Sequence, residues 1–437
     1  MTTLLGLDVG SSSVKTGILR GGRLVGRVGR VAFRTRYAGP RVEVDAGDIL
    51  AAVRAAIRAL GPRARRVDAV AISVMSPSWV VMDARGEPLT PVVTHQDRRS
   101  VAEAVEIERR VGRDRHLSMA GNRPCPGGIS STTWAWYRAN EPQRLRRAAL
   151  VGQLSTLLVH RLTGARAIDP SNASFTGLYS VPDLGGWSAE LCDVVGLPMH
   201  LLPDVMDADR TAGTVTRDAA RAFGVTAGTP VLAGIVDGSA AMLLAGARVG
   251  QVLNVSGSTD VLALCTSTPR PSDRYITRAL GVGRAWLSVS TLAAAGSALD
   301  WARAQLFPDL PEAAYWRLVG RLAGRAGRPP VTFDPYLAGE RTSVEQRTAA
   351  FAGLTLATTR EDLLWAVIDA LATASAARLA DLRTTGTPIR RDVTVAGGVG
   401  RRLARVLHRD WGHGWRFTTP PPEATLRGLG RLVPGAR

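Results

Sequence analysis

Two carboxylates and one lysine sit where apolar runs give way to glycine and serine. Asp8 lies in Leu5-Gly6-Leu7-Asp8-Val9 and is followed by the turn Gly10-Ser11-Ser12-Ser13. A carboxylate at a strand end beside such a turn suits hydrated Mg²⁺, a hard cation that takes oxygen ligands and keeps its waters. It would equally serve to cap the turn. Asp237 ends the apolar run of GTPVLAGIVDG and precedes Gly238. There it can accept the proton of an attacking hydroxyl, as the catalytic aspartate of a kinase does, or it can cap the helix that follows. Lys15 is the only lysine among 55 basic side chains.

Three small-residue turns follow apolar strands: Gly10–Ser13, Ser256–Thr259 and Gly397-Gly398. Such residues let backbone N–H groups and hydroxyls close in on phosphate oxygens. Any one of them reads like an ordinary hairpin; three at wide separation argue for phosphate. The phosphate candidates are Gly10, Ser11, Ser12, Lys15, Gly257, Ser258, Thr259, Gly397 and Gly398. Other phosphate and nucleophile designs are absent. Val14 stands where a P-loop needs glycine before its lysine, no GxGxxG follows the first strand, and no GxSxG elbow occurs. Cys125, Cys192 and Cys265 form no CxxC pair and the six histidines no HExxH, so neither a disulfide framework nor a structural metal is expected.

The elements that must hold these residues follow an α/β pattern. Leu5, Leu7 and Val9 alternate as a strand, and Val14–Leu19 and Leu24–Val31 continue a meander through Gly21-Gly22. DILAAVRAAIRAL predicts a helix capped by Asp48 and stopped at Gly61-Pro62. Val67–Val74 reads as a buried strand, and WVVMDARGEPL as a hairpin turning at Arg85-Gly86. From Gly228 the pattern restarts. QVLNVSGSTDVLALC repeats the strand, turn, strand order of LGLDVGSSSVKTGIL, which predicts two related α/β halves, residues 1–227 and 228–437.

The 437 residues are 45% hydrophobic and 21% charged, as in a globular chain of two or three domains. Uninterrupted apolar runs fall short of the ~20 residues of a membrane span, and no basic leader opens the sequence. A cytoplasmic protein with no membrane partner is expected. The net charge of +18 would suit a nucleic-acid binder. The arginines are scattered in ones and twos, however, with no long basic tract between aromatics. A solvated arginine-rich surface with no nucleic-acid partner is the expectation.

Taken in order, segments spanning nearly the whole chain resemble the FGGY carbohydrate kinases of the actin-like ATPase superfamily. LGLDVGSSSVKTGIL resembles the family's first phosphate segment, in which a basic residue stands seven positions after the aspartate, here Lys15. HQDRRS, residues 95–100, resembles W-x-D-x-R-T, and IDPSNASFTGLYSV, from Ile168, resembles D-x-S-N-A-S-x-T-G-L-x-D. GTPVLAGIVDGSAA resembles the strand bearing the catalytic aspartate, and NVSGSTD the second phosphate turn. DPYLAGERT, from Asp334, resembles P-Y-L-x-G-E-R-T, and VAGGVG the adenosine turn G-G-G-A.

The resemblance implies two RNase-H-like domains with a cleft between them, the sugar mainly on the first and ATP with Mg²⁺ mainly on the second. It implies that Asp237 deprotonates a hydroxyl of a small sugar or polyol, a ketose such as xylulose being the first choice. Asp8 would organise Mg²⁺ and Lys15 would meet the transferring phosphoryl group. A homodimer is compatible with it. There are departures. His95 replaces the family's Trp, Val399 replaces the third Gly of the adenosine turn, and Ser76-Pro77 stand where xylulokinase-like members carry Met-His on the sugar. Asp97 and Arg99 are read either as substrate-side groups or as a structural ion pair. The rival class is a non-catalytic sugar- or nucleotide-binding protein of the same fold. The presence of Asp8, Lys15 and Asp237 together counts against it.

Overall fold

The structure, a computed structural model, describes every residue except 341, 342, 346, 398, 399 and 434–437, and of residues 400 and 401 the backbone only. Gly398 and Val399 of the adenosine turn, and Arg341 and Thr342 of the Gly-Glu-Arg-Thr segment, therefore lie outside the described residues. The chain forms two compact units. One comprises Met1–Ala247, Cys265–Leu287 and the segment from Pro422; the other comprises Arg248–Leu264 and Ser288–Pro421.

In the first unit the meander is Thr3–Val9, Ser13–Arg20 and Arg23–Ala32, antiparallel throughout. Ala69–Val74 joins Thr3–Val9 in parallel on its other side, followed by Pro230–Leu232 and Thr211–Thr214. The parallel strands are buried on both faces, hence their near-continuous apolar runs. On one face Leu5, Leu7, Val9 and Val14 share a core with Ile49, Val53 and Ile57 of the helix Ala46–Arg58. That helix starts three residues earlier than the sequence suggests. Asp45 is the cap, accepting from the backbone N–H groups of Gly47 and Asp48, while Asp48 lies in the first turn. On the other face Gly6 and Gly17 are register partners, and a Cβ on either would strike Leu426 or a neighbouring leucine. They leave room for the short helix Ala424–Gly428. A second sheet runs in the order Thr35–Ala38, Arg41–Val44, Val92–Thr94, Ser78–Met82, Leu150–Gln153.

In the second unit Val252–Ser256 pairs antiparallel with Asp260–Thr266 and parallel with Asp392–Ala396. Around this pair the sheet runs Trp286–Leu292, Asp260–Thr266, Val252–Ser256, Asp392–Ala396, Arg416–Thr418. In both units the first strand of the sheet lies between its antiparallel hairpin partner and a later parallel strand, as two RNase-H-like domains require. The helix Arg360–Arg383 is long and apolar enough to cross a membrane by length and composition. The count of uninterrupted runs misses this because Asp369 breaks the sequence. Its residues Leu364, Trp365, Val367, Ile368 and Leu371 are packed in the core of the unit.

Candidate active site

Sheet register sets Asp8, Lys15 and Ser73 side by side in the first unit. Asp8 faces Lys15 across the antiparallel pair and Ser73 across the parallel pair, so the three share one row. Ser73 Oγ donates to Asp8 Oδ1 at 2.9 Å, and Lys15 Nζ lies 3.8 Å from Asp8 Oδ2. Burial raises the Asp8 pKa to about 6; Lys15 opposes this rise and the charge of Asp237 adds to it. Lys15 Nζ is also 3.0 Å from Glu423 Oε2, and the other oxygen of Glu423 meets Arg30 at 2.5 Å. Packing of Leu426 over Gly6 and Gly17 brings Glu423 there.

Ile235 pairs with Ser73 and Val236 with Val74, which delivers Asp237 to the same sheet edge. Asp237 is the first residue of the helix Asp237–Leu244, with Val236 in the cap position, and its Oδ1 accepts from the Gly238 N–H at 2.6 Å. Behind it, the Val236 N–H donates to Ser171 Oγ at 3.1 Å, and that hydroxyl donates to Asp169. Asp169 is fully buried and also accepts from Asn172 Nδ2 at 2.5 Å; burial raises its pKa to about 6. Ser76 Oγ donates to Asn172 Oδ1 at 3.2 Å, which ties the Ser76-Pro77 corner to the same network.

The second unit holds the other turns. Gly257 to Thr259 join Val252–Ser256 to Asp260–Thr266, with the Gly257 N–H donating to the Thr259 carbonyl at 2.8 Å. The Gly257 and Ser258 carbonyls accept from Gly296 and Ser297 at the start of the helix Gly296–Leu306. Gly397 has φ +116°, and a Cβ there would lie 2.0 Å from the Ser256 carbonyl oxygen. Only glycine fits so close an approach. Gly10 to Ser13 close their own turn in the first unit, where the Gly10 N–H donates to the Ser13 carbonyl at 3.1 Å. Ser11 and Ser12 are exposed.

A sequence model of the FGGY family of carbohydrate kinases, N-terminal domain, matches residues 3–244, and that of the C-terminal domain matches residues 252–406. The chain belongs to the FGGY family. Among its relatives, the xylulose kinase of Streptomyces coelicolor is 30% identical over 372 residues, covering 84% of this chain and 73% of that protein. The glycerol kinase of Thermococcus gammatolerans is 28% identical over 386 residues, covering 84% and 76%. The crystal structure of xylulose kinase from Rhodospirillum rubrum superposes with a TM-score of 0.86 at 26% identity, covering 97% of this chain and 88% of that one. This FGGY kinase is thus a phosphotransferase that uses ATP and acts on a small sugar or polyol.

Asp97 and Arg99 of the kinase are held among protein groups. Asp97 accepts from the Val42 N–H at 2.7 Å and from Arg99 Nη2 at 2.7 Å; Arg99 Nη2 also donates to Glu43 at 2.7 Å. The guanidinium stacks over Trp136 and Tyr137. This is a buried ion pair that fastens the second sheet. Removing one partner strands the other, so Asp97→Ala is expected to cost about 3–5 kcal/mol of stability. Urea unfolding would show it. A large loss of activity at unchanged stability would instead return Asp97 to the substrate.

Two residues of the first unit escape the sequence reading. Glu423 is the only carboxylate after Asp410, and that isolation was its available signal. Arg278, on the strand Ile276–Ala279, is one arginine among many in the sequence, yet it is 3% exposed and lies beside Gly238, where a Cβ would be 3.1 Å from its Nη2. As for a metal, no cluster of three or more His, Cys, Asp or Glu occurs among the described residues. Asp8 and Asp237 nonetheless lie near enough for one charge to raise the other's proton affinity. A hydrated Mg²⁺ that takes one or two carboxylates plus phosphate oxygens fits such a pair.

Proposed function

We propose that this kinase phosphorylates a small ketose such as xylulose, with Asp237 as general base. One observation carries the reading: Asp8, Lys15 and Asp237 converge at one sheet edge beside the Asp169–Asn172–Ser76 network. Two of the relatives named above are xylulose kinases. A sugar hydroxyl is a poor nucleophile until its proton has somewhere to go, and Asp237 takes it as the oxygen attacks the γ-phosphorus. Lys15 places a point charge at the transferring group, where negative charge must be held. Asp8, with Asp237, would hold Mg²⁺, which when bound offsets charge on the phosphate oxygens. Gly10 to Ser12, Gly257 to Thr259 and Gly397 would hold phosphates through backbone N–H groups and hydroxyls. The first unit, which runs to Ala247 and not to residue 227, would carry the sugar side and the second unit the nucleotide side. At the sugar, the Ser76-Pro77 corner offers one hydroxyl and no Pro77 N–H, and Asn172 stands behind it.

The experiment is ADP release over a panel of pentuloses, hexuloses, heptuloses and polyols. Ketose-dependent ADP release is expected; release only with non-ketose polyols would overturn the ketose assignment. Lys15→Ala is expected to lower kcat by about 10–10³-fold and the sugar KM far less, because its charge acts on the transition state. Equal effects on both would place Lys15 in ground-state binding.

A further inference from the structure

Among the described residues, the carboxylate within hydrogen-bond distance of the Lys15 ammonium is not Asp8. Lys15 Nζ stands 3.8 Å from Asp8 Oδ2 but 3.0 Å from Glu423 Oε2. A lysine is a point charge on a flexible four-carbon stem, so its own geometry does not fix where the charge sits. Glu423 fixes it, through a hydrogen bond charged on both sides, the stronger kind. The carboxylate is itself held. Its other oxygen accepts from Arg30 Nη2, and Arg30 is the register partner of Lys15 on the next strand. Two cations directly opposite each other repel, and Glu423 joins them. Its side chain is 16% exposed and makes no capping bond to the helix Ala424–Gly428 that it precedes. Glu423 also has φ +64°, a left-handed conformation that costs a non-glycine residue energy and persists only where the surroundings impose it. Here Leu426 is seated over Gly6 and Gly17, and Arg427 Nε donates to the Pro422 carbonyl at 2.8 Å.

The charge balance shows what this carboxylate is for. An acidic group beside a lysine that must meet phosphate would, alone, cancel the charge that the phosphate needs. Arg30 neutralises Glu423, which leaves the Lys15 charge available while its direction stays fixed. Direction matters steeply, since a misplacement of about 1 Å can cost ~10²-fold in rate. We propose that Glu423 is a positioning residue for phosphoryl transfer. It holds the Lys15 ammonium where that charge meets the transferring group, and it acts through Lys15 without touching sugar or nucleotide. The segment from Pro422, which belongs to the first unit, would thus complete a site begun at Asp8. This rests on the assignment of Lys15 to the transferring phosphoryl group made above and adds the residue that makes it precise.

The test is a double-mutant cycle on kcat, by ADP release with whichever sugar or polyol of the panel the wild type uses best. Glu423→Ala is expected to lower kcat by ~10–100-fold while the sugar KM moves by less than about 3-fold. Glu423→Gln keeps an acceptor oxygen for Lys15 but no charge, and should fall between Glu423→Ala and the wild type. In the Lys15→Ala background, Glu423→Ala should cost less than about 2-fold more, because no ammonium is left to position. A residue that only fastened the segment from Pro422 would lower the urea midpoint and leave the kcat of the folded enzyme alone. Wild-type kcat in Glu423→Ala therefore overturns the proposal, and so does a cycle in which the two losses multiply. A higher kcat or a lower KM for ATP in Glu423→Ala overturns it too, by showing that Glu423 competes with phosphate for Lys15. Near-normal kcat in Lys15→Ala overturns the Lys15 assignment, and the proposal with it. Should Glu423→Ala fail to fold by circular dichroism, the same cycle with Glu423→Gln decides.

Discussion

Asp237→Asn is expected to lower kcat by about 10²–10⁴-fold, the usual contribution of a positioned general base. The substitution keeps the size of the side chain and an oxygen able to accept the Gly238 N–H bond. It removes the ability to take a proton. The KM values for sugar and ATP should therefore move little, since the lost interaction belongs to the transition state. The helix gives an internal control. Asp237 is the first helical residue and Val236 holds the cap position, so the carboxylate is not the helix's N-cap. Even if Asp237 supported the helix end, asparagine would do so nearly as well. Near-normal turnover in Asp237→Asn, with thermal stability unchanged, would remove the base assignment.

How far this site could be seen in advance depended on whether a residue's neighbours lay close in sequence. Asp8, Lys15 and the Gly/Ser turns belong to strand–turn–strand units, whose period-2 pattern and small residues show directly in the chain. The duplicated strand–turn–strand unit follows from the same pattern, and in each sheet it pairs with a later parallel strand. The cap of the first long helix was harder. Asp45 and Asp48 are both acidic and three residues apart, and only the backbone conformation separates the cap from the first turn. Asp97 and Arg99 were ambiguous because their deciding partner, Glu43, lies more than fifty residues away. Glu423 and Arg278 were missed for the same reason. Glu423 reaches Lys15 through glycines at positions 6 and 17, and Arg278 stands out only once its burial is known. Long-range ion pairs leave no local period in a sequence, whereas turns and strands do.

Asp8→Asn should abolish Mg²⁺-dependent turnover and yet make the unliganded protein more stable at pH 7.5. The two effects come from one cause. Buried Asp8 holds its proton up to about pH 6, against 3.8 in the unfolded chain. A carboxyl with a raised folded pKa binds more protons when folded, so folding weakens as pH climbs from the unfolded value to the folded one and stays weakened above it. A rise of roughly two units corresponds to about 3 kcal/mol lost at neutral pH. Asparagine carries no such charge. It also forgoes the attraction to Lys15, though Lys15 keeps Glu423 at 3.0 Å. The gain at pH 7.5 should therefore be about 1–3 kcal/mol, and it should shrink toward zero near pH 4, where both side chains are uncharged. Urea unfolding of both proteins at the two pH values, without nucleotide or metal, measures it. An equal difference at both pH values would show that burial of the charge is not what Asp8 costs. A carboxylate kept at the expense of stability is expected where the charge has work to do, and under the proposed function that work would be holding a cation beside phosphate. ADP release against Mg²⁺ concentration supplies the other half of the test. Normal turnover in Asp8→Asn would take Asp8 out of the metal site, whatever the unfolding curves show.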